Sequence, residues 1–410
     1  MPTIPVTRRA WPRRAVVALA AGSLLLTAAC SGRGDDSADA GGADSDAPIV
    51  IGLSFPLSGP LAGAAAVADG AVAYFEHVNA DGGVDGRQID YQLLDDGYDP
   101  ARQADNARQL VDQDGADVVL TFGGISSATA PYLNGAEVAQ VAFGTQEALS
   151  DTDATPFTRA WFPDGRWEGQ VVAQDIQADN PDAVVGVLGV SNDLTTSQVD
   201  GLTDGGVTPD QVLTVAPGVV DLTSQLNQLR AAGVDTLLLA TVGPAQSATL
   251  RTMADIGYRP TTYLYSAAAD FATTIGPAGA DTVTGARTAQ YFKDPADPRW
   301  ADDEGVQAFR ADVAEYGDEA NVDSYLAMEG YGAAAATVAA LEGSDGEGGA
   351  AFTAAWDAVD GLDNPALLPD VQLSAGPGDR LVHVYRMLEF DGTSWQDAGE
   401  PVDADDLEQG

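Results

Sequence analysis

The 410-residue sequence holds one cysteine, Cys30, one lysine, Lys293, and two histidines, His77 and His383. A lone thiol closes no intramolecular disulfide. With so few imidazoles and thiols, nucleophilic and general-base catalysis has little to draw on. The spacings G-x-S-x-G, C-x-x-C and H-E-x-x-H and the phosphate-binding P-loop are missing too. Positive charge is scarce: 19 Lys and Arg stand against 62 Asp and Glu, a formal net charge of −43. That balance excludes nucleic acid and anionic membrane surfaces as partners. Acid pairs recur at 95–96, 302–303 and 405–406, but in so acidic a chain they read as solvated surface, and nothing spaces like a calcium loop. No cofactor, no metal and no enzymatic activity are expected. No apolar run reaches the about 20 residues that a membrane-spanning helix needs.

What the first residues do contain is an export signal. Arg8, Arg9, Arg13 and Arg14 precede "AVVALAAGSLLL", and "TAAC" ends at Cys30. A basic region, a short apolar run and small residues before a cut define residues 1–29 as a signal peptide. The double arginine is not followed by the rest of a twin-arginine motif. A cysteine directly after such a site resembles a lipobox, with Thr27 where leucine is commoner. Cys30 is therefore the expected lipidation site, a secretory signal with an incidental cysteine being the alternative. Residues 30–47 are small and acidic and cannot bury a core. They read as a flexible tether that ties a surface-exposed domain to the cell membrane.

Beyond Pro48 short apolar runs alternate with amphipathic stretches. "PIVIGLSF" is a strand, "AVADGAVAYFEHVNADGG" a helix, "IDYQLLDD" a strand. In "DPARQADNARQLVDQDG", Asp99 is the N-cap and Pro100 the first helical residue. "ADVVLTF" and "QVAFG" are further strands around the short helix "APYLNGAEV". The rhythm restarts at "WEGQVVAQDIQAD" and runs through "AVVGVLGV", "QVLTVAP", "VDTLLLATV" and "TTYLYSA". This βαβ alternation predicts parallel sheets covered by helices. An internal echo supports two lobes of similar build: "QLVDQDGADVVLTFGG" (109–124) answers "QLRAAGVDTLLLATVG" (228–243), Gly115 and Asp117 matching Gly233 and Asp235. Near the end come a long helix, "SYLAMEGYGAAAATVAALEG", and a β-hairpin turning at Asp391-Gly392.

Ligands of open parallel sheets sit outside the carboxyl ends of the strands. Three such ends are rich in Gly, Ser or Thr: "PLSGPLAG" (56–63), "GGISSAT" (123–129) and "GTQEA" (144–148). Free N–H groups and hydroxyls at a helix start hold an acceptor without a formal positive charge. Ser126 and Ser127 are candidate ligand contacts; either one can instead be a plain helix cap.

These segments, with "GAVAYFEHVNADGGVDGRQIDYQLLDDGYDPARQADNARQLV" and "LRAAGVDTLLLATVGPAQSATLRTMADIGY", resemble the leucine/isoleucine/valine-binding protein family from about residue 48 to 395. These are type I solute-binding proteins of ABC importers for amino acids and amides. The resemblance implies two Rossmann-like α/β lobes joined by a three-crossover hinge, closing on a trapped ligand. It implies that Ser126 and Thr145 bind the ligand carboxylate and that the Gly144 carbonyl takes its ammonium. The second lobe departs from the pattern. The loop "SNDLTTS" lacks the usual tyrosine, Val242 or Gly243 replaces another, and the ammonium-pairing acid is replaced near Ala268. Asp270 is the only acid nearby, and a buried ammonium without a partner costs several kcal/mol. Trp161 and Tyr265 are candidates to wall the pocket, with hinge packing the alternative for Trp161. Arg166 reads as a rim residue.

The expected organisation places lobe 1 at 48–163 and 290–365, lobe 2 at 164–289 and 366–402, and a tail at 403–410. The expected function is delivery of a small carboxylate, amino acid or amide to an ABC permease. A sensory lipoprotein signalling to a receptor is the alternative, and a cell-wall hydrolase a distant third.

Overall fold

The structure, a computed structural model, describes residues 47–408 apart from 150, 217 and 377–379. The signal peptide, the lipidation expected at Cys30 and nearly all of the tether lie outside the described residues.

The described strands form two sheets. The first holds β1 (Ile49–Phe55), β2 (Ile89–Asp95), β3 (Val118–Phe122), β4 (Ala139–Phe143) and β5 (Thr158–Ala160), in the order β2-β1-β3-β4-β5. All of its pairings are parallel. The second holds β6 (Val185–Val190), β7 (Gln211–Val215), β8 (Thr236–Ala240), β9 (Thr261–Leu264), β10 (Arg287–Gln290), β11 (Val384–Phe390) and β12 (Trp395–Asp397), in the order β12-β11-β10-β9-β8-β6-β7. Its pairings are parallel up to β10 and antiparallel beyond. β13 (Val402–Asp403) pairs with β11 beside this path. The inner strands read as near-continuous apolar runs because helices cover both sheet faces: Leu237, Leu238, Leu239 and Ala240 of β8 are all buried.

Local chemistry sets the elements as the sequence predicts. The Asp99 carboxylate accepts the amides of Ala101 at 2.8 Å and Arg102 at 3.1 Å, opening the helix Pro100–Asp112. The echoed glycines, Gly115 and Gly233, both sit at left-handed φ, +71° and +82°. The closing hairpin pairs Phe390 with Trp395, and the Asp391 carboxylate accepts the amides of Thr393 and Ser394 across the turn. Where a tail is expected after residue 402, β13 leads into the short helix Ala404–Glu408.

The chain passes between the sheets after β5, after β10 and before β11. Two of these passages are hydrogen-bonded together: Leu368 N donates to Tyr291 O at 2.9 Å and Lys293 N to Ala366 O at 2.8 Å. The helix Tyr325–Gly343 packs on the helix Ala65–Ala80 at very close range. A Cβ on Gly70 would lie 1.8 Å from Ala327 O, and one on Gly330 would lie 1.8 Å from Val67 O. The two glycines thus let the backbones touch, which fixes the register of the longer helix. No described helix is long and apolar enough to cross a membrane.

Candidate functional site: a cleft at the strand ends

A cleft of about 470 Å³ opens where strands of both sheets end. From the first sheet come Phe122 and Gly123 after β3, and Phe143, Gly144, Thr145 and Gln146 after β4. Gly123 has φ +82°, and a Cβ there would lie 2.5 Å from the ring of Tyr98. The glycine is what lets Tyr98, itself at φ +59°, close this corner. From the second sheet come Asn192, Asp193 and Leu194 after β6, and Tyr265 and Ala267 after β9. The passages between sheets add Phe162 and Tyr291, and the helix Tyr325–Gly343 adds Leu326 and Glu329.

Six aromatic rings, Tyr98, Phe122, Phe143, Phe162, Tyr265 and Tyr291, stand in the walls. Phe143 meets Phe162 edge-on with centroids 5.8 Å apart, and Tyr291 meets Tyr385 at 5.4 Å. Edge-to-face packing is a favoured arrangement of aromatic pairs. Two acids stand among the lining residues: Asp193, exposed, and Glu329, buried. Burial pushes the Glu329 carboxyl well above the ordinary range, the Asp270 carboxylate adds repulsion, and a hydrogen bond from Tyr325 only partly offsets both. Behind the wall Glu168 accepts the amide of Ser266 at 2.8 Å and its hydroxyl at 3.0 Å. Burial pushes Glu168 up to about 8 against those bonds.

Among the described residues no lysine or arginine lines the cleft. One lies next to it. Arg380 is fully buried and donates to the carbonyls of Gly144 (3.3 Å), Gln146 (2.8 Å) and Phe162. Its guanidinium is 3.8 Å from the Asp164 carboxylate.

The structure brings together Gly144, Thr145 and Tyr265 of the sequence-predicted residues. Ser126 is buried without lining the cleft, and its hydroxyl has no hydrogen-bond partner among the described residues. Ser127 is exposed, and its hydroxyl donates back to Gly124 O at 3.1 Å within the short 3-10 turn, so it neither caps that turn nor lines the cleft. Trp161 is fully buried against Phe292, so it packs the hinge, and its neighbour Phe162 takes the cleft position. Asp270 also lies off the cleft, because its carboxylate is spent on the amide (2.7 Å) and hydroxyl (2.6 Å) of Thr273. The Gly144 carbonyl, expected to take an ammonium, already accepts from Arg380. Arg166 pairs with Asp204 at a partly exposed position. Glu329, from a helix that the sequence analysis did not place at the site, is the buried acid among the lining residues. Among the described residues, His383, Asp403 and Asp405 place ligand-type atoms within 4.8 Å of one another, and none of them lines the cleft.

A family model described as periplasmic binding protein matches residues 48–396. No curated protein matches. Among solved structures, a branched-chain amino acid ABC transporter protein of Thermus thermophilus with bound valine superposes with a TM-score of 0.79 at 17% identity, covering 89% of this chain and 98% of its own. A branched-chain amino acid transporter substrate-binding protein of Streptococcus pneumoniae in complex with isoleucine gives 0.70 at 17% identity, covering 87% and 99%. A solute-binding protein of R. palustris in complex with benzoate gives 0.70 at 18% identity, covering 87% and 98%. At these identities the likeness speaks to fold alone, and the fold is two α/β lobes with parallel sheets. The family match extends over most of the chain, and the chain therefore belongs to the periplasmic binding protein family, as an extracytoplasmic solute-binding protein of the type I fold and not an enzyme.

Proposed function

We propose that this protein captures a small dipolar solute, an amino acid with an apolar or aromatic side chain, and presents it to the permease of an ABC importer. The observation that carries the reading is the buried Glu329 carboxyl set among aromatic walls in the same cleft as the Thr145 amide. Among the described residues that amide makes no hydrogen bond. The carboxylate of the solute takes the Thr145 N–H and hydroxyl. Its ammonium takes Glu329, and the aromatic rings take the side chain. The valine, isoleucine and benzoate bound by the similar structures share an apolar body with a carboxylate, which agrees with the carboxylate and side-chain placements, while the ammonium placement rests on Glu329 and is shared only by the two amino acids.

The solute docks first on lobe 1, built from 48–163 and 290–365. Lobe 2, built from 164–289 and 366–402, then closes over it about the three passages. Closure matches both lobe faces to the permease at once, so the importer reads occupancy. A lipid on Cys30, with the 30–47 tether, keeps the protein at the membrane surface where the permease lies.

A thermal-shift series on the whole purified chain tests this. A ligand that binds only the native state raises the melting temperature by mass action. Valine, leucine and phenylalanine are compared with their 2-oxo acids and with benzoate. The expected result is a shift with the amino acids and none with the deaminated acids. A shift with the deaminated acids alone overturns the ammonium assignment.

A further inference from the structure

We infer that Arg380 is a positioning residue for the solute carboxylate: it fixes and polarises the Gly144–Thr145 peptide so that the Thr145 N–H reads the carboxylate, while Asp164 attenuates its charge. The inference rests on the dipolar-solute reading above and adds a residue to it that touches no ligand.

Geometry carries the argument. The guanidinium is fully buried and gives its N–H groups to main-chain carbonyls, Gly144 at 3.3 Å and Gln146 at 2.8 Å among them. Gly144 and Gln146 are cleft residues and Arg380 is not. A trans peptide turns its C=O and N–H to opposite sides, and no described peptide here is cis. Fixing the Gly144 carbonyl on Arg380 therefore turns the Thr145 N–H away from Arg380, toward the side that bounds the cleft. That amide has no hydrogen-bond partner among the described residues. A positive charge at one end of a peptide strengthens donation at the other end, and it does so more in a buried site than in water.

Asp164 supplies the opposing control. Its Oδ2 lies 3.8 Å from the guanidinium, too far for a hydrogen bond, and acts through charge. Its Oδ1 caps the next helix by accepting Arg166 N at 2.9 Å. Asparagine keeps such a cap and removes the charge. A lysine in place of Arg380 would lose the planar fork that spans several carbonyls at once.

The experiment is calorimetric titration of valine and valinamide, which share the ammonium and side chain and differ at the carboxylate. The readout is the ratio of the two dissociation constants, amide over acid. Arg380→Met is expected to cut that ratio by about tenfold, and Asp164→Asn to raise it by about threefold, as opposite changes in charge behind one peptide. A residue with only a structural role would weaken both ligands alike and leave the ratio unchanged, and that result overturns the inference. Should Arg380→Met not fold, Asp164→Asn decides alone: an unchanged or lowered ratio overturns the proposal. Where leucine or phenylalanine binds and valine does not, that amino acid and its amide replace the valine pair; if the unsubstituted protein binds none of the three, the dipolar-solute reading has failed and the inference falls with it.

Discussion

Asp117 clamps Val50 on both sides of its residue: the carboxylate accepts the Val50 amide at 2.8 Å, and the Asp117 amide donates to the Val50 carbonyl at 2.8 Å. The same clamp recurs in the second lobe. The Asp235 carboxylate accepts the Val184 amide at 3.0 Å, and the Asp235 amide donates to the Val184 carbonyl at 3.1 Å. The repeated Gly-x-Asp of the sequence is thus a device for pinning one parallel strand to its neighbour at the edge of register. Each aspartate satisfies an amide that the ladder leaves open.

Removing the clamp should cost stability in proportion to burial. Asp117 is half-buried and Asp235 exposed. Asp117→Ala is expected to lose about 1–2 kcal/mol, because a part-buried amide is left unmet, and Asp235→Ala about half of that. Urea unfolding followed by circular dichroism measures both. Equal losses would show that burial does not set the energy of this motif.

A second expectation concerns pH. Glu168 has its carboxyl pushed from 4.5 up to about 8 by burial. The folded protein therefore holds a proton there that the unfolded chain releases. The contribution is full below about pH 4.5 and is lost as pH rises through about 8. Glu168→Gln keeps an acceptor for the Ser266 amide and has no proton to lose. The variant should therefore match or trail the parent at pH 5 and exceed it at pH 8.5, by on the order of 2 kcal/mol. Melting temperatures across that range test the sign. A variant that weakens steadily relative to the parent as pH rises would show that Glu168 is ionised and paired.

Much of the fold was readable because each βα unit states itself locally. Buried strands such as "VDTLLLATV" allow no other placement, and Asp99-Pro100 marks a helix start by its own chemistry. Parts of the site were readable for the same reason: Gly144 and Thr145 directly follow an apolar strand. Glu329 was not, because a single acid in the apolar helix Tyr325–Gly343 has the pattern of a core helix, and only the packing of that helix turns the residue to the cleft. The signal present was an acid where nearly every neighbour is buried. Tyr98 and Arg380 come from loops, whose course depends on contacts distant in sequence. Trp161 and Phe162 are adjacent, and their opposite fates follow from which way one bond of the hinge is turned.

The placement of Glu329 depends on two glycines. Its neighbour Gly330 would carry a Cβ 1.8 Å from Val67 O, a contact that forces the helices apart. Gly330→Ala is therefore expected to destabilise the fold by about 2 kcal/mol or more. It should also weaken solute binding, since it shifts the acid relative to the walls. Gly343→Ala, at the far end of the same helix, meets only Ala355, with that residue's Cβ at 3.1 Å. It serves as the control, with a small stability change and unchanged affinity. Loss of affinity in both variants would mean that general loosening, and not the position of Glu329, governs binding.

The last expectation is a proton released on binding. Glu329 is held well above the ordinary carboxyl range, with Asp270, Tyr325, Tyr265 and Tyr291 as its titratable neighbours. An ammonium placed against it favours the ionised form. Binding must then expel the proton at any pH where the carboxyl still holds it. Affinity for an amino acid should rise as pH climbs from the ordinary carboxyl range to the raised value and level off above it. Calorimetry in buffers of different ionisation enthalpy should register net proton release, up to about one per ligand. Glu329→Gln should abolish that release and weaken binding by about 10–100-fold, because the ammonium then meets a neutral amide in a buried site. Proton uptake, or an affinity that falls as pH rises, would mean that the solute leaves Glu329 protonated. The ligand would then meet a hydrogen-bonding acid and not a counter-ion, which points to a neutral solute.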